Sequence, residues 1–481
     1  MSLTRKKSLT ALLAQAASGE TSLKRTLDAK NLIALGIGAI IGAGLFVRTA
    51  AASAEAAGSA VTLSFIVAAI GCAFAGLCYA EFAAMIPIAG SAYTYAYCTM
   101  GEMVAWTIGW ALILEYALGA ATVSIAWSEY LNKLLGGVIP YEWCHSPMEV
   151  SPDGVHGIFN APALLILLLL SLLLIKGTEE SATVNSIIVF IKMAIVLLFI
   201  GLGWQFINPA NHVPYMIPEG TAGHEDFFKF GWGGVLRGAG IVFFAFIGFD
   251  AVSTAAQEAK RPEKDMPIGI MGSLAVCTFL YILFAHVLTG IANWQEFKVA
   301  GKEASVAYAI SKYMPGYEWL ATMVTVAILA GFSSVILVML LGQSRVFFSM
   351  ANDGLLPKVF SELHPKFRTP YKSNIILFVF VGLFAGFIPG SLAGDLTSIG
   401  TLFAFIVVSI GVWMLRRSDP GRNRPFHTPL VPLVPILAVV VCSAMIIGLD
   451  QFTQMTAGVW MLLGFVVYFT YSRANSKLNL S

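Results

Sequence analysis

NLIALGIGAIIGAGLFVRTAAASAEAAG, residues 31–58, decides how this chain is read. Its unbroken apolar part, Leu32 to Val47, is 16 residues long, short of the ~20 that a straight helix rising 1.5 Å per residue needs to cross ~30 Å of hydrocarbon. Four glycines, Gly36, Gly38, Gly42 and Gly44, fall within nine positions of it. A glycine inside a helix costs roughly 0.5–1 kcal/mol against alanine, so this density serves close helix packing or marks a place where the helix opens. An opened helix frees N–H and C=O groups, which a bilayer tolerates only where protein, a water-filled cavity or a polar solute satisfies them. Ile40 to Gly44 is therefore a candidate binding site made of backbone.

Outward from that stretch, the composition leaves one class. With 57% hydrophobic and 12% charged residues among 481, the chain is too apolar for a soluble domain of this size and reads as an all-α polytopic membrane protein. Its net charge of +2 is the difference of 29 basic and 27 acidic side chains, and no nucleic-acid partner follows from it. Cys72, Cys78, Cys98, Cys277 and Cys442 lie in or beside apolar runs and Cys144 lies in a polar loop, without disulfide or metal spacing. His145, His156, His212 and His224 are scattered through outer loops without ligand spacing. The first 30 residues are polar and basic with no cleavable apolar core, so they read as a cytoplasmic tail and not a signal.

Twelve apolar spans follow one another, at 32–56, 61–86, 104–130, 161–175, 184–207, 233–256, 268–291, 320–347, 374–388, 396–415, 431–449 and 458–471. An even number puts both termini on one side. Lysine and arginine concentrate in the loops of that side (Lys260, Arg261 and Lys264; Arg345 to Lys372; Arg416 to Arg424), which makes it cytoplasmic. The sixth span, GWGGVLRGAGIVFFAFIGFDAVSTAAQEA at 231–259, repeats the glycine density of the first with Gly233, Gly234, Gly238, Gly240 and Gly248, and adds Asp250 to an apolar run. Two glycine-interrupted spans at matching positions of two halves point to an inverted-repeat transporter with its site at the midplane; tight packing alone is the plainer alternative. After the sixth span, the two prolines of KRPEKDMP cannot continue its helix. The expected organisation is a tail at 1–30, a first five-helix repeat at 31–207, an extracellular loop at 208–232, a second repeat at 233–415, and helices eleven and twelve with the cytoplasmic C-terminus at 416–481.

The motifs GIGAIIGAGLF (36–46), FFAFIGFDAVSTAAQEAKRPEKDMPIGI (243–270), Arg345 with DGLLP (353–357), and Thr369–Pro370 resemble the amino acid–polyamine–organocation superfamily, specifically bacterial members of its cationic amino acid transporter branch. The resemblance implies a five-plus-five inverted repeat with discontinuous first and sixth helices, and alternating access around a bound amino acid. Carried over by position, the amides around Gly42, Ala43 and Gly44 hold the substrate carboxylate at a helix N-terminus. The carbonyls of Ile40, Phe244, Ala245 and Ile247 meet its ammonium. Lys192 in the fifth span resembles the lysine that, in proton-coupled relatives, takes the place of a sodium ion beside the first and eighth helices; snorkelling to the interface is the plainer alternative.

Ionisable residues inside spans are functional hypotheses by default. Glu115 in the third span is a candidate for a substrate contact or a proton-linked carboxylate, against a structural hydrogen bond. Asp250 suits both a helix cap and a gate. Glu81 has no evident assignment, and His286 reads as a lone histidine satisfied by packing. By the Arg345 anchor, Met339 stands where mammalian cationic carriers have a small serine, which favours a small neutral L-amino acid such as alanine, while Glu115 would suit a cationic one.

The expected function is proton-coupled amino acid uptake at the cell membrane, with the proton as coupling ion and no other cofactor. The alternatives are an exchanger, a sodium symporter using Ser333 and Ser334, or a receptor that binds without transporting. No H-E-x-x-H, G-x-S-x-G or paired intramembrane aspartates suggest an enzyme. The partners implied are the L-amino acid, membrane lipids and, as in some relatives, a small accessory membrane subunit.

Overall fold

A computed structural model of the chain describes residues 5–7, 27–42, 44–86, 91–176, 182–221, 227–254, 259–298, 305–367 and 369–479. Among these residues every regular element is helical, and the only extended pairings are the isolated bridges Leu27 to Ala259 and Val150 to His156. In chain order the α-helices are α1 (Ala29–Ile40), α2 (Thr49–Ala52), α3 (Val61–Met85), α4 (Ser91–Thr99), α5 (Glu102–Ile113), α6 (Gly119–Leu134), α7 (Ala161–Lys176), α8 (Ala182–Gly203) and α9 (Gly231–Val242). There follow α10 (Ala251–Thr254), α11 (Pro262–Ile291), α12 (Ser305–Tyr313), α13 (Glu318–Asn352), α14 (Tyr371–Phe387), α15 (Gly390–Ser418), α16 (Leu433–Gly448), α17 (Gln451–Val467) and α18 (Arg473–Asn475).

Among the described residues, seven helical stretches are long and apolar enough to cross a membrane, and five shorter apolar helices accompany them. One of the seven, Gly44–Met85, is 42 residues long, which at 1.5 Å per residue is about twice the hydrocarbon thickness. It turns back at Gly58, whose φ of 59° favours glycine. Two π turns, Gly44–Arg48 and Ser53–Ala57, flank α2, and a third, Leu114–Leu118, joins α5 to α6. Such turns insert an extra residue into a helix and recur at functional sites.

Local sequence sets the ends. Asp28 caps α1 by accepting the Asn31 amide at 3.0 Å. Pro262 opens α11 at a first-turn position where its missing N–H costs nothing. The other proline of that loop, Pro267, lies inside α11, so the seventh span starts six residues earlier than its apolar run suggests. α4 and α12 were not expected at all; both lie in connections between spans.

The bundle is fastened at its ends by polar contacts. Glu81 accepts from Arg416 at 2.9 and 2.8 Å and from the Thr428 amide at 2.8 Å, and Arg424 lies 3.4 Å away. That pins the connection between α15 and α16 onto the end of α3, and gives Glu81 a structural role. Most of the N-terminal tail lies outside the described residues, but Lys7 pairs with Asp353 at 2.8 Å and Arg5 donates to the Leu478 carbonyl at 2.7 Å. Residues near the two ends of the described chain therefore meet on one side of the bundle. Far along the sequence, the indoles of Trp110 and Trp460 stack at 4.8 Å and each donates to the other's backbone carbonyl, at 2.8 and 3.3 Å.

His286 is not alone: the His212 ring lies 4.6 Å from it, and the His212 Nε2 is 3.2 Å from the Thr289 hydroxyl. Burial pushes His212 below its ordinary 6.5, and His286 adds to this, while Tyr215 packs edge-on to the ring. Because the docked His212 resists protonation, the undocked loop binds the proton better, so docking is intact above about pH 6.5 and weakens as pH falls through it. Amide exchange across 208–217 should accelerate on going from about pH 7.5 to about pH 5.5, after correction for intrinsic rates, and His212→Gln should flatten that response.

Candidate functional site

The first-span glycines serve both purposes that their density allowed. Gly36 lies inside α1, where an added Cβ would stand 2.6 Å from the Ser273 Cβ, so it lets α1 approach α11. The helix then stops at Ile41, whose ψ of 99° is extended, and resumes in a π turn at Gly44. Ala43 lies outside the described residues. The sixth span breaks likewise. α9 tightens into a 3₁₀ turn, Phe243–Phe246, Ile247 is extended, and Gly248 adopts φ 114° with the Ala39 carbonyl oxygen 2.7 Å from where its Cβ would stand. Only glycine meets both demands there.

The two breaks face each other. A Cβ on Gly44 would overlap the Ala245 backbone, so the chains touch at main-chain distance. Between the two helix ends stands Tyr281 of α11, whose hydroxyl lies 2.9 Å from the Ile40 carbonyl and 2.9 Å from the Ala245 carbonyl. One O–H proton serves two acceptors, so the pair is under-supplied with donors. Of the other carbonyls expected to meet an ammonium, that of Phe244 accepts the Ile247 amide at 3.3 Å. Tyr281 gave no signal in the sequence, being one aromatic in an apolar run.

Around this centre the predicted side chains fall into three groups. Lys192 is buried at 4% exposure, donates to the Gly38 carbonyl at 3.3 Å, and lays its Cε against Gly331 of α13. It thus stands between α1 and α13, beside a void of about 10 Å³ that Ile41 and Gly42 also line, about the least that holds one water. Glu115, on the π turn Leu114–Leu118, lies against Asp250 and Thr401, and its Oε1 has no hydrogen-bond partner among the described residues. Asp250 accepts from the Tyr116 hydroxyl at 3.2 Å and from the Gly248 amide at 3.3 Å. Met339 packs on Gly119 of α6, where an added Cβ would lie 2.9 Å from its sulfur, and Val335, one turn earlier on α13, reaches Gly42. Of the sodium alternative's hydroxyls, that of Ser333 donates to the Leu329 carbonyl of its own helix at 2.9 Å.

A further charged pair was missed. Arg48, in the second half of the first span, forms a buried ion pair with Asp395 of α15, and its Nε lies 3.5 Å from the Ile241 carbonyl of α9. Arg48 is an ionisable residue within the opening stretch, and the rule applied to Lys192 would have found it. Asp395 escaped because the tenth span was begun one residue after it, at Leu396.

Comparison with known proteins places this chain among permeases. Residues 27–471 match the family model described as amino acid permease. The chain is 43% identical to a branched-chain amino acid permease of Bacillus subtilis and 41% identical to a methylthioribose transporter of the same organism, in each case over 99% of both chains. It is 34% identical to cationic amino acid transporter 4 of Homo sapiens, over 84% of this chain and 62% of the human one.

Proposed function

The chain belongs to the amino acid permease family, and on that premise we propose that it is a secondary active transporter that takes up neutral L-amino acids together with a proton. Twelve spans arranged as a five-plus-five inverted repeat work by alternating access in the cell membrane, with both termini cytoplasmic. The meeting of two broken helices at Tyr281 is the observation that carries this reading. Two C-terminal helix ends present the Ile40 and Ala245 carbonyls, and a helix resumes at Gly44, so one small space offers acceptors and an amide-rich N-terminus. That pairing suits a zwitterion, whose ammonium brings three donors where Tyr281 brings one.

In the cycle, the amino acid joins the two broken spans, and binding favours the closed arrangement only by the difference in its affinity for the open and closed forms. Lys192, held on the Gly38 carbonyl, couples the proton to the position of α1. Glu115 and Asp250, side by side, offer a second place where a proton is held and released. The apolar Met339 and Val335 bound the side-chain end, which favours neutral over cationic substrates. The branched-chain permease among the relatives agrees with this.

A second reading comes from the methylthioribose transporter at 41% identity. Backbone carbonyls and amides bind hydroxyl groups as well as a zwitterion, so a sugar-like solute is the competitor. Proteoliposomes with an inward proton gradient and no sodium, given labelled alanine, leucine, arginine or methylthioribose, separate these cases. Concentration of alanine or leucine supports the proposal. A sodium requirement or mere equilibration overturns the coupling, and concentration of methylthioribose or arginine alone overturns the substrate class.

Tyr281→Phe should remove the hydroxyl donor that the Ile40 and Ala245 carbonyls share in the empty protein. The expected cost is about 1–3 kcal/mol of stability, seen as a lower melting temperature in detergent. Saturating substrate should recover part of it, because the ammonium supplies donors; a variant equally destabilised with and without substrate would separate Tyr281 from the site.

A further inference from the structure

Behind the π turn that carries Glu115 lies a second cavity of about 190 Å³. Leu114 and Leu118 of that turn form one wall, Phe384 of α14 and Leu396 of α15 two others, and Thr456 and Val459 of α17 the fourth. Thr456 and Trp460 bring the polar side-chain atoms of the lining, and both are already used, the hydroxyl on the Phe452 carbonyl of its own helix at 2.8 Å and the indole N–H on the Trp110 carbonyl at 3.3 Å. A buried water needs two to four polar partners, so these walls give it nothing to bind. The cavity is open on one side, and the side chains at its mouth, Val459 and Leu463, are 57% and 51% exposed. In a chain that spans a membrane, such exposed apolar groups face hydrocarbon. The opening is therefore continuous with the lipid-facing surface of α17 and α14, where Phe452, Met455, Val379 and Leu383 are likewise exposed.

We propose that this cavity is a lipid-tail site, occupied by one acyl chain of a membrane lipid that packs against Leu114 and Leu118 of the π turn. Dry, unfilled space of this size forfeits dispersion contacts along its lining, and a flexible methylene chain is the one abundant molecule at its mouth that fills it without stranding a polar group. The occupant supports the backbone on which Glu115 is mounted. A tail there is a bound ligand with its own pocket, distinct from the layer of lipid that surrounds every span.

The protein is reconstituted in a phosphatidylcholine whose acyl chain carries a photoactivatable diazirine at its middle, irradiated, and mapped by peptide. Labelling of the peptides with Phe384 and Val459 is expected to exceed that of α16 peptides with Val440 and Ile447, which are 55% and 57% exposed, by ~3-fold or more, the ratio given by about 0.6 kcal/mol of better packing. Thr456→Phe, which adds a ring inside the cavity and touches no group of the substrate site, should bring the excess down to the α16 level while leaving α16 labelling and the melting temperature intact. Equal labelling of cavity and α16 peptides in the native protein would mean surrounding lipid only and overturn the proposal, as would an excess that survives Thr456→Phe. Transport is not needed for either reading, so the test stands apart from the proposed function.

Discussion

Replacing Lys192 with alanine is expected to abolish concentrative uptake while leaving substrate binding in place. One proton moving across 100 mV is worth about 2.3 kcal/mol, which sustains ~50-fold accumulation at about 1.4 kcal/mol per tenfold. The variant should fall from that figure to simple equilibration. The reason is positional. The Lys192 ammonium reports on α1 through the Gly38 carbonyl, two residues before the Ile40 carbonyl that faces Tyr281. Loss of the amine removes the proposed proton carrier and leaves the backbone site standing. Lys192→Met keeps most of the side chain's packing on Gly331 and should fail in the same way, which separates charge from shape. If either variant still concentrates alanine under a proton gradient, Lys192 is not the coupling group.

Asp395→Ala is expected to be the most destabilising single change outside the site. It leaves the Arg48 guanidinium buried at 2% exposure without its carboxylate, and uncompensated charges of that kind cost about 3–5 kcal/mol. The melting temperature in detergent should drop sharply, with Asp395→Asn in between because an amide oxygen still accepts from the guanidinium. Replacing both partners together, Arg48→Met with Asp395→Leu, should recover most of the loss, since an apolar pair avoids the desolvation penalty altogether. Such a double variant also removes the clamp that ties the second half of the first span to α15 and α9. It should open that end more readily, read as faster modification of a cysteine placed at Gly394, which lies against Arg48.

The elements legible in the sequence were those with a strong one-dimensional signal. Glycine density announced both broken helices, in the first span together with a run too short to cross, and Gly44 and Gly248 sit at the breaks for the reasons that density suggested. An ionisable residue in an apolar run is equally visible, so Lys192, Glu115 and Asp250 were found. Their neighbours were not, because spatial adjacency between distant spans leaves no trace in spacing. Tyr281 meets Ile40 across 241 positions, and Tyr116 meets Asp250 across 134. The end of a span was the weakest reading. Pro267 and Asp395 both fell outside helices whose apolar cores were correctly placed, since hydropathy marks where hydrocarbon begins and not where backbone hydrogen bonding does.

The reciprocal indole bonds between Trp110 and Trp460 bear on how motion would be observed. Two donors exchanged across one stacked pair fix both the distance and the rotation of α17 against α5, so α17 shares whatever frame α5 belongs to. A spectroscopic label on the exposed face of α17, at Leu462 for instance, is then a reference point fixed to α5. Distances measured from it to α1 or α10 would report displacement of the broken spans relative to α5, with no correction for independent drift of α17.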